Sequence, residues 1–201
     1  MDVRLSRLLE DLHRHGIEHD ADTTDRLERL RNVEPETAAL LALLVRATGA
    51  RRVLELGTSN GYSTVWLADA VSANDGSLTS VELDPERTTQ AAHNLERAGL
   101  RTVVDLRIQD AADTLRQSED GEWDLIFLDA ERPAYASYWP DLVRVLRPRG
   151  VLAVDNVLSH AAEVSEFRAL VSADERVSEA LSTTGAGALL VVREADQRTP
   201  Q

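Results

Sequence analysis

The chain has 201 residues, and its 22 Lys and Arg stand against 35 Asp and Glu, for a formal net charge of −13. This charge repels nucleic-acid phosphates and anionic lipid, so we expect neither a nucleic-acid nor a membrane partner. Cysteine is absent, which excludes disulfides, thiolate metal sites and a cysteine nucleophile. The first residues lack an apolar signal core, and the longest apolar stretch, 38–45, is far shorter than the ~20 residues of a membrane span. These features predict a cytoplasmic protein.

The length is typical of one domain. We expect an N-terminal helical segment over 1–50, a core over 51–194 and a flexible polar tail over 195–201. Leucines at helical spacing over 5–12 predict a first helix. Thr23-Thr24 is predicted to cap a second helix, and a third is predicted to follow Pro35 and to end near Gly49.

From residue 51 onward, short aliphatic runs alternate with helical segments, which predicts an α/β fold with a parallel sheet covered by helices on both faces. A helix start is marked by Asp84-Pro85, with Gly99 at its end, and a turn is predicted over 147–150. The predicted strands cover 53–56, 77–81, 103–108, 125–128, 151–154, 177–181 and 188–192.

Two of these runs stop at an acidic residue, one at Asp129 and the other at Asp155, which Asn156 follows. Parallel strands place such residues together at the carboxyl edge of the sheet, where α/β proteins bind ligands. Two carboxylates and an amide oxygen are hard ligands that suit Mg²⁺ or Ca²⁺. The alternative is that each side chain merely caps the turn that follows its strand.

A glycine-rich turn follows the first strand, with Gly57 and Gly61 in a Gly-x-x-x-Gly spacing. This spacing matches neither the dinucleotide fingerprint nor a P-loop, so a pyrophosphate cradle is disfavoured. The next strand ends at Glu82, where a carboxylate can accept hydrogen bonds from ribose hydroxyls. A third strand end, Asp110-Ala111, is placed to meet an adenine edge.

Together these segments resemble the motif set of the class I S-adenosylmethionine-dependent O-methyltransferases. The similarity covers about residues 34–194. The closest branch is the cation-dependent one, which includes catechol and caffeoyl-coenzyme A O-methyltransferases. The motifs that carry the resemblance are residues 53–63, Glu82, Asp110-Ala111, Asp129 and Asp155-Asn156.

The resemblance implies a Rossmann-like class I methyltransferase fold, with a seven-stranded, mostly parallel sheet, flanking helices and N-terminal helices. It also implies S-adenosylmethionine and a divalent cation as cofactors, a lid over 33–36 and a homodimer. Asp129, Asp155 and Asn156 would hold the metal. The implied cofactor-binding residues are Glu55, Gly57, Ser59 and Gly61 at the methionine end, Ser63 at its carboxylate, Glu82 at the ribose, Asp110 and Ala111 at the adenine, and Asp129.

One position departs from the family pattern, because Arg132 stands where these enzymes usually carry a lysine that can act as a base. A guanidinium stays protonated, so Arg132 can stabilise an oxyanion but should not accept a proton. His160, shortly after Asn156, is our candidate base, and Glu131 is a second choice. The predicted catalytic set is Asp129, Arg132 and His160.

These features predict methyl transfer from S-adenosylmethionine to a hydroxyl of a small, catechol-like acceptor, assisted by a divalent cation. Two other interpretations remain open. One is a metal-independent methyltransferase acting on another oxygen or nitrogen, which Arg132 favours. The other is a cofactor-binding module without turnover. A nicotinamide dehydrogenase is disfavoured by the glycine spacing.

Overall fold

A computed structural model describes residues 2–26 and 28–195. Most of the predicted tail lies outside the described residues. No helix in the described ranges is long and apolar enough to cross a bilayer. The helices are α1 Val3–Asp22, α2 Pro35–Thr48, α3 Tyr62–Ser72, α4 Pro85–Ala98, α5 Ala111–Gln117, α6 Tyr135–Val145 and α7 Ser165–Ser172. The strands are β1 Arg52–Leu56, β2 Ser77–Glu82, β3 Val104–Ile108, β4 Trp123–Leu128, β5 Leu146–Val154, β6 Val177–Ser182 and β7 Ala188–Arg193.

Over the described part of the chain, the strands form one seven-stranded sheet in the order β3-β2-β1-β4-β5-β7-β6. The first five strands in this order pair in parallel. Strand β7 runs antiparallel to both β5 and β6. The predicted seven-stranded, mostly parallel, Rossmann-like sheet is therefore confirmed.

Successive residues of each central strand enter different cores, because side chains alternate between the faces of a sheet. Val53 and Leu125 pack with the first four helices on one face. Leu54 and Ile126 pack with α5, α6 and α7 on the other. Both faces of the central strands are thus buried, which explains their nearly continuous apolar sequences.

The predicted ends of α4 are confirmed. Asp84 caps the helix, since its carboxylate accepts hydrogen bonds from the backbone N–H groups of Glu86 and Arg87. Pro85 occupies the first turn, and Gly99 ends the helix in the left-handed conformation.

The predicted second helix is wrong. Residues 23–26 and 28–34 contain no helix, and Leu27 lies outside the described residues. Thr23 instead terminates α1, where its hydroxyl donates to the carbonyl of His19. The carboxylate of Asp20 accepts the backbone N–H groups of Leu30 and Arg31 at 2.7 and 2.8 Å. These side-chain bonds satisfy donors that a helix would have used.

The predicted turn over 147–150 lies inside strand β5, which already begins at Leu146. The pairing of β4 with β5 shifts register between Trp123 and Leu125. Arg149 there adopts a positive φ of 64°. A bulge of this kind places extra residues in one strand without ending it. The irregular backbone was therefore expected at this position, but the predicted turn and the start of the strand at residue 151 were wrong.

A row of backbone hydrogen bonds crosses the carboxyl edge of the sheet. The N–H groups just beyond the strands donate to the last carbonyls of the neighbouring strands: Gln109 to Glu82, Gly57 to Val81, Asp129 to Leu56 and Asp155 to Leu128. These bonds extend from 2.9 to 3.3 Å. We call them the edge row. They fix the start of each loop that carries a predicted site residue.

Gly57 makes the closest approach in the edge row. Its φ is 105°, and a Cβ at this position would collide with the carbonyl oxygen of Asp129. Only glycine accepts both the backbone conformation and the contact. The glycine turn after β1 therefore packs directly on the loop after β4.

Glu55 is a fully buried carboxylate that joins β1, β2 and α3. It accepts hydrogen bonds of 2.6 Å from the hydroxyls of Ser63, Thr64 and Ser80. Burial raises its pKa from 4.5 to about 7, although the three hydroxyls act in the opposite direction. Glu55 thus anchors the first turn of α3 to the sheet.

The Gly57→Ala change should lower the free energy of unfolding by about 2–3 kcal/mol. The new side chain would both strain the backbone, which has a positive φ, and collide with the carbonyl oxygen of Asp129. Gly99→Ala is the matched control, since Gly99 also has a positive φ, of 72°, but no atom lies within 4 Å of its Cβ position. We expect that control to lose about 1 kcal/mol. Urea unfolding measures both changes, and equal losses would contradict the packing role of Gly57.

The buried carboxylate of Glu55 predicts a pH-dependent stability. Its folded pKa lies above its unfolded value, so its contribution is present at low pH and is lost as pH rises through about 7. Relative to Glu55→Gln, the unmodified chain should therefore lose about 2 kcal/mol between about pH 5 and about pH 8. Urea titrations of both proteins at several pH values measure this, and a pH-independent difference would refute it.

Candidate active site

A cavity of about 520 Å³ lies at the carboxyl edge of the sheet, beneath residues 29–34. Most of the predicted site residues line it together. They are Gly57, Ser59, Ser63, Glu82, Asp110, Ala111, Asp129, Arg132, Asp155, Asn156 and His160. Glu55 and Gly61 are not among the residues that line it; Glu55 lies behind Ser63, and Gly61 packs against Ala91. Those two residues can shape the cavity without touching a ligand.

The glycine turn and the end of β2 are joined through Glu82. One carboxylate oxygen of Glu82 accepts the N–H of Ser59 at 2.9 Å, and the other accepts the N–H groups of Leu83 and Asp84. The carboxylate is held in one orientation beside the cavity. A carboxylate has about four lone-pair positions, and these N–H groups occupy three of them, so the oxygen that binds Ser59 can still accept one hydroxyl from a ligand.

Asp110 and Ala111 border the cavity at the start of α5. The carboxylate of Asp110 caps that helix by accepting the N–H groups of Ala112 and Asp113. Tyr138 lines the same end of the cavity, and both burial and the charge of Asp110 raise its pKa. Tyr138 therefore lies near the predicted adenine end.

The two strand-end aspartates lie on neighbouring strands, as predicted. Residue Leu128 of β4 pairs with Val154 of β5, so Asp129 and Asp155 leave the sheet side by side. Burial raises the pKa of both carboxyls. For Asp155 the negative charge of Asp129 raises it further, whereas Arg31 and Arg132 oppose the rise for Asp129. Two carboxylates held together in this way attract positive charge.

The surroundings of Asp155 fit a cation. Its Oδ1 atom is buried without a hydrogen-bond partner among the described residues. Its Oδ2 accepts the side-chain N–H of Asn156 at 2.9 Å, and a half-turn of that amide presents its oxygen instead. Among the described residues no three His, Cys, Asp or Glu side chains are arranged to hold a metal ion by themselves, so a cation here would need the amide oxygen of Asn156 as a third ligand. Its hard oxygen donors match Mg²⁺ or Ca²⁺.

Arg132 lies in a short 3-10 turn after β4, and its side chain is only 5% exposed. Its Nε donates to Glu163 at 2.9 Å, which lowers the pKa of that carboxyl. Its positive charge also acts on Asp129 and Asp155. The guanidinium therefore lies beside the acidic pair, where it can stabilise a negative oxygen.

His160 lies in the turns between β5 and α7 and lines the cavity. Its Nδ1 is 2.9 Å from the hydroxyl of Ser159. Its backbone N–H donates to the carbonyl of Asn156. The imidazole is thus tied to the loop that carries the proposed metal ligands, with one ring nitrogen left for other contacts.

Sequence reasoning missed most of the residues that cover the cavity. Residues 29–32 line it, beside Val33 and Glu34 of the predicted lid. The sequence pattern there predicted a helix that does not form, and the available signal for a cavity-lining segment was the three arginines at 26, 29 and 31. Glu131, our second choice of base, binds Arg26 and Arg31. Burial raises its pKa, but Arg31 and Arg26 outweigh this and leave the pKa lowered, which makes Glu131 a poorer proton acceptor.

Comparison with known proteins identifies relatives of this chain. The family model described as O-methyltransferase matches residues 3–194. A catechol O-methyltransferase of Niastella koreensis is 38% identical over 138 residues, or 67% of this chain and 62% of that protein. A catechol O-methyltransferase of Mycobacterium tuberculosis is 36% identical over 134 residues, or 67% of this chain and 60% of that protein. The chain thus spans about three-fifths of the length of these relatives.

Solved structures agree with the sequence relatives. The O-methyltransferase from Bacillus cereus, in complex with SAH, superposes with a TM-score of 0.78 at 29% identity, covering 94% of this chain and 91% of that one. The O-methyltransferase TomG from Streptomyces achromogenes, in complex with SAM, has a TM-score of 0.76 at 29% identity, with 97% and 91% covered. Because the family model matches nearly its whole length, the chain belongs to the O-methyltransferase family.

Proposed function

We propose that the chain is an S-adenosylmethionine-dependent O-methyltransferase that acts on a small hydroxylated, catechol-like acceptor with the help of a divalent cation. The observation that carries this proposal is one cavity with two chemically different ends. A fixed carboxylate suited to a ribose, Glu82, lies at one end, and the acidic pair Asp129 and Asp155 lies at the other. The names of the relatives and the ligands of the solved structures support the same reaction.

The glycine turn would hold the cofactor. The residues that would contact it all line the cavity: Ser63 would bind the methionine carboxylate, with Ser59 nearby, Glu82 would bind the ribose, and Asp110 and Ala111 would border the adenine. When bound, S-adenosylmethionine supplies a methyl group on a sulfonium, and transfer to an acceptor oxygen forms a C–O bond as the C–S bond breaks. Catalysis then depends on alignment of the two groups and on stabilisation of the charge that shifts between them.

Asp129, Asp155 and Asn156 would hold the divalent cation, which would lower the pKa of an acceptor hydroxyl. Arg132 would add a fixed positive charge beside the same oxygen. His160 would accept the hydroxyl proton, because Arg132 cannot. A metal-independent reaction is the second candidate, and the observation that favours it is the buried Arg132 guanidinium beside the acidic pair.

A homodimer and a cytoplasmic location stay predictions from the sequence. The non-catalytic interpretation has less support, because the predicted base and the acidic pair line the same cavity as the cofactor residues. A module that only binds cofactor needs neither of them.

Metal dependence is tested by assaying a catechol acceptor with Mg²⁺ and with EDTA. We expect chelation to lower the rate by about 100-fold, because charge stabilisation of the reacting oxygen is lost. Asp155→Asn should lower the Mg²⁺-supported rate to a similar extent while binding of S-adenosylhomocysteine stays within about threefold. Asp105→Asn, an exposed carboxylate paired with Arg107, is the control. A rate indifferent to EDTA would favour the metal-independent alternative.

The proton acceptor is tested by the pH dependence of kcat. A protonated imidazole cannot accept a proton, so the rate of the unmodified enzyme should fall as pH is lowered. His160→Gln should lower kcat by about 100-fold at neutral pH and remove that fall. An unchanged pH profile in this variant would exclude His160 as the base. Arg132→Lys introduces a side chain that can lose a proton, so we expect it to rescue part of the rate of the His160 variant at high pH.

A further inference from the structure

Residues 29–34 line the cavity, and we call the segment 28–34, to which they belong, the roof. The roof contains no helix or strand. Part of its backbone is held by Asp20 at the end of α1. A segment of this kind opens locally at low cost, because few backbone bonds must break together. A cofactor bound in the cavity would lie against this segment, so opening of the roof would ease its exit.

Two loops and the start of helix α4, all at the carboxyl edge of the sheet, contact the roof. The hydroxyl of Ser59, after β1, donates to the carbonyl of Leu30 at 2.8 Å. Arg87, in the first turn of α4, donates to the carbonyl of Arg29 at 3.0 Å. The third contact is ionic and involves Glu131, two residues after Asp129.

Glu131 binds two guanidinium groups at once. One carboxylate oxygen is 3.0 Å from a guanidinium nitrogen of Arg26, and the other is 3.0 Å from a guanidinium nitrogen of Arg31. Arg26 precedes the roof in the chain, and Arg31 lies within it. Both arginines line the cavity. The carboxylate therefore joins the loop that carries Asp129 to a segment about 100 residues earlier in the chain. We call this contact the clasp.

We propose that Glu131 is a positioning residue that holds the roof closed over the cofactor through Arg26 and Arg31, and so sets how long the cofactor stays bound. The identity of the ligand depends on the proposed function, whereas the contact between Glu131 and the two arginines is independent of it. Glu131 thereby has a role other than proton transfer, since both of its oxygens already accept from guanidinium groups.

The clasp is partly exposed, which sets the size and the kind of effect to expect. The side chains of Arg26, Arg31 and Glu131 are 51%, 33% and 47% exposed. Ion pairs in such positions contribute little singly, more when several charges form a network, and less as salt increases. Loss of the clasp should therefore change cofactor affinity about three- to tenfold, rather than abolish binding.

A double-mutant cycle on Glu131 and Arg26 tests the clasp, with S-adenosylhomocysteine as the ligand and its Kd and dissociation rate as readouts. Arg26 is the better partner for the cycle because Arg31 also acts on Asp129. Glu131→Gln and Arg26→Gln should each raise Kd about three- to tenfold, mainly through faster dissociation. The Kd of the double variant should be no higher than that of whichever single variant binds more weakly. Glu122→Gln, which breaks an ion pair with Arg52, should bind like the unmodified chain.

Salt dependence separates an ionic clasp from a general structural role. Raising NaCl from about 0.05 M to about 1 M should speed dissociation from the unmodified chain and leave Glu131→Gln nearly unchanged. Hydrogen exchange of residues 28–34 in the ligand-free protein should be faster in that variant.

The outcomes distinguish this inference from the proposed function. If Glu131→Gln binds S-adenosylhomocysteine with the same Kd, salt response and hydrogen exchange as the unmodified chain, the clasp is overturned and the proposed function is not. No binding to the unmodified chain would overturn the cofactor assignment and, with it, the role of the clasp in retention. Faster exchange in Glu131→Gln would still establish that the contact holds the roof.

Discussion

The edge row is the constraint on which the candidate site depends. Each of its hydrogen bonds joins the first residue beyond one strand to the last carbonyl of the next, from Gln109 across to Asp155. Bonds of this type extend the regularity of a parallel sheet one residue into its loops. The residues proposed to bind the ribose and those proposed to bind the metal are therefore positioned by the same set of bonds. Gly57 completes it, because any side chain there would force the two halves apart.

Much of the fold and of the site follows from local patterns. The strand ends at Asp129 and Asp155, the glycine turn and the ends of α4 could all be predicted, since each depends on residue types close in sequence. The roof could not. Its conformation depends on Asp20, which replaces helical hydrogen bonds with side-chain ones, and on Glu131, a partner about 100 residues away. The bulge in β5 was also hidden, because Arg149 and its neighbours have the composition of a turn.

Charged side chains of both signs are concentrated around the cavity. The net charge is −13, yet arginines 26, 29, 31, 87 and 132 all line the cavity. They lie around a group of carboxylates that includes Asp129, Asp155 and Glu131. Such a mixture keeps several negative groups close together without leaving them all uncompensated. Burial of Arg132 next to the acidic pair is the clearest example, because its ion pair with Glu163 fixes the guanidinium while its charge still acts inward.

The antiparallel direction of β7 has a consequence for how this site can diversify. Because β7 runs opposite to its neighbours, it begins at the carboxyl edge, and the turn that precedes it contacts the loop after β5 through Ala186 and Gly187. Ala186 also lines the cavity. The proposed acceptor end thus has a wall built from a hairpin turn that contributes nothing to the edge row. Substitutions in that turn would change the shape of this part of the cavity without disturbing the bonds that position the proposed cofactor and metal ligands.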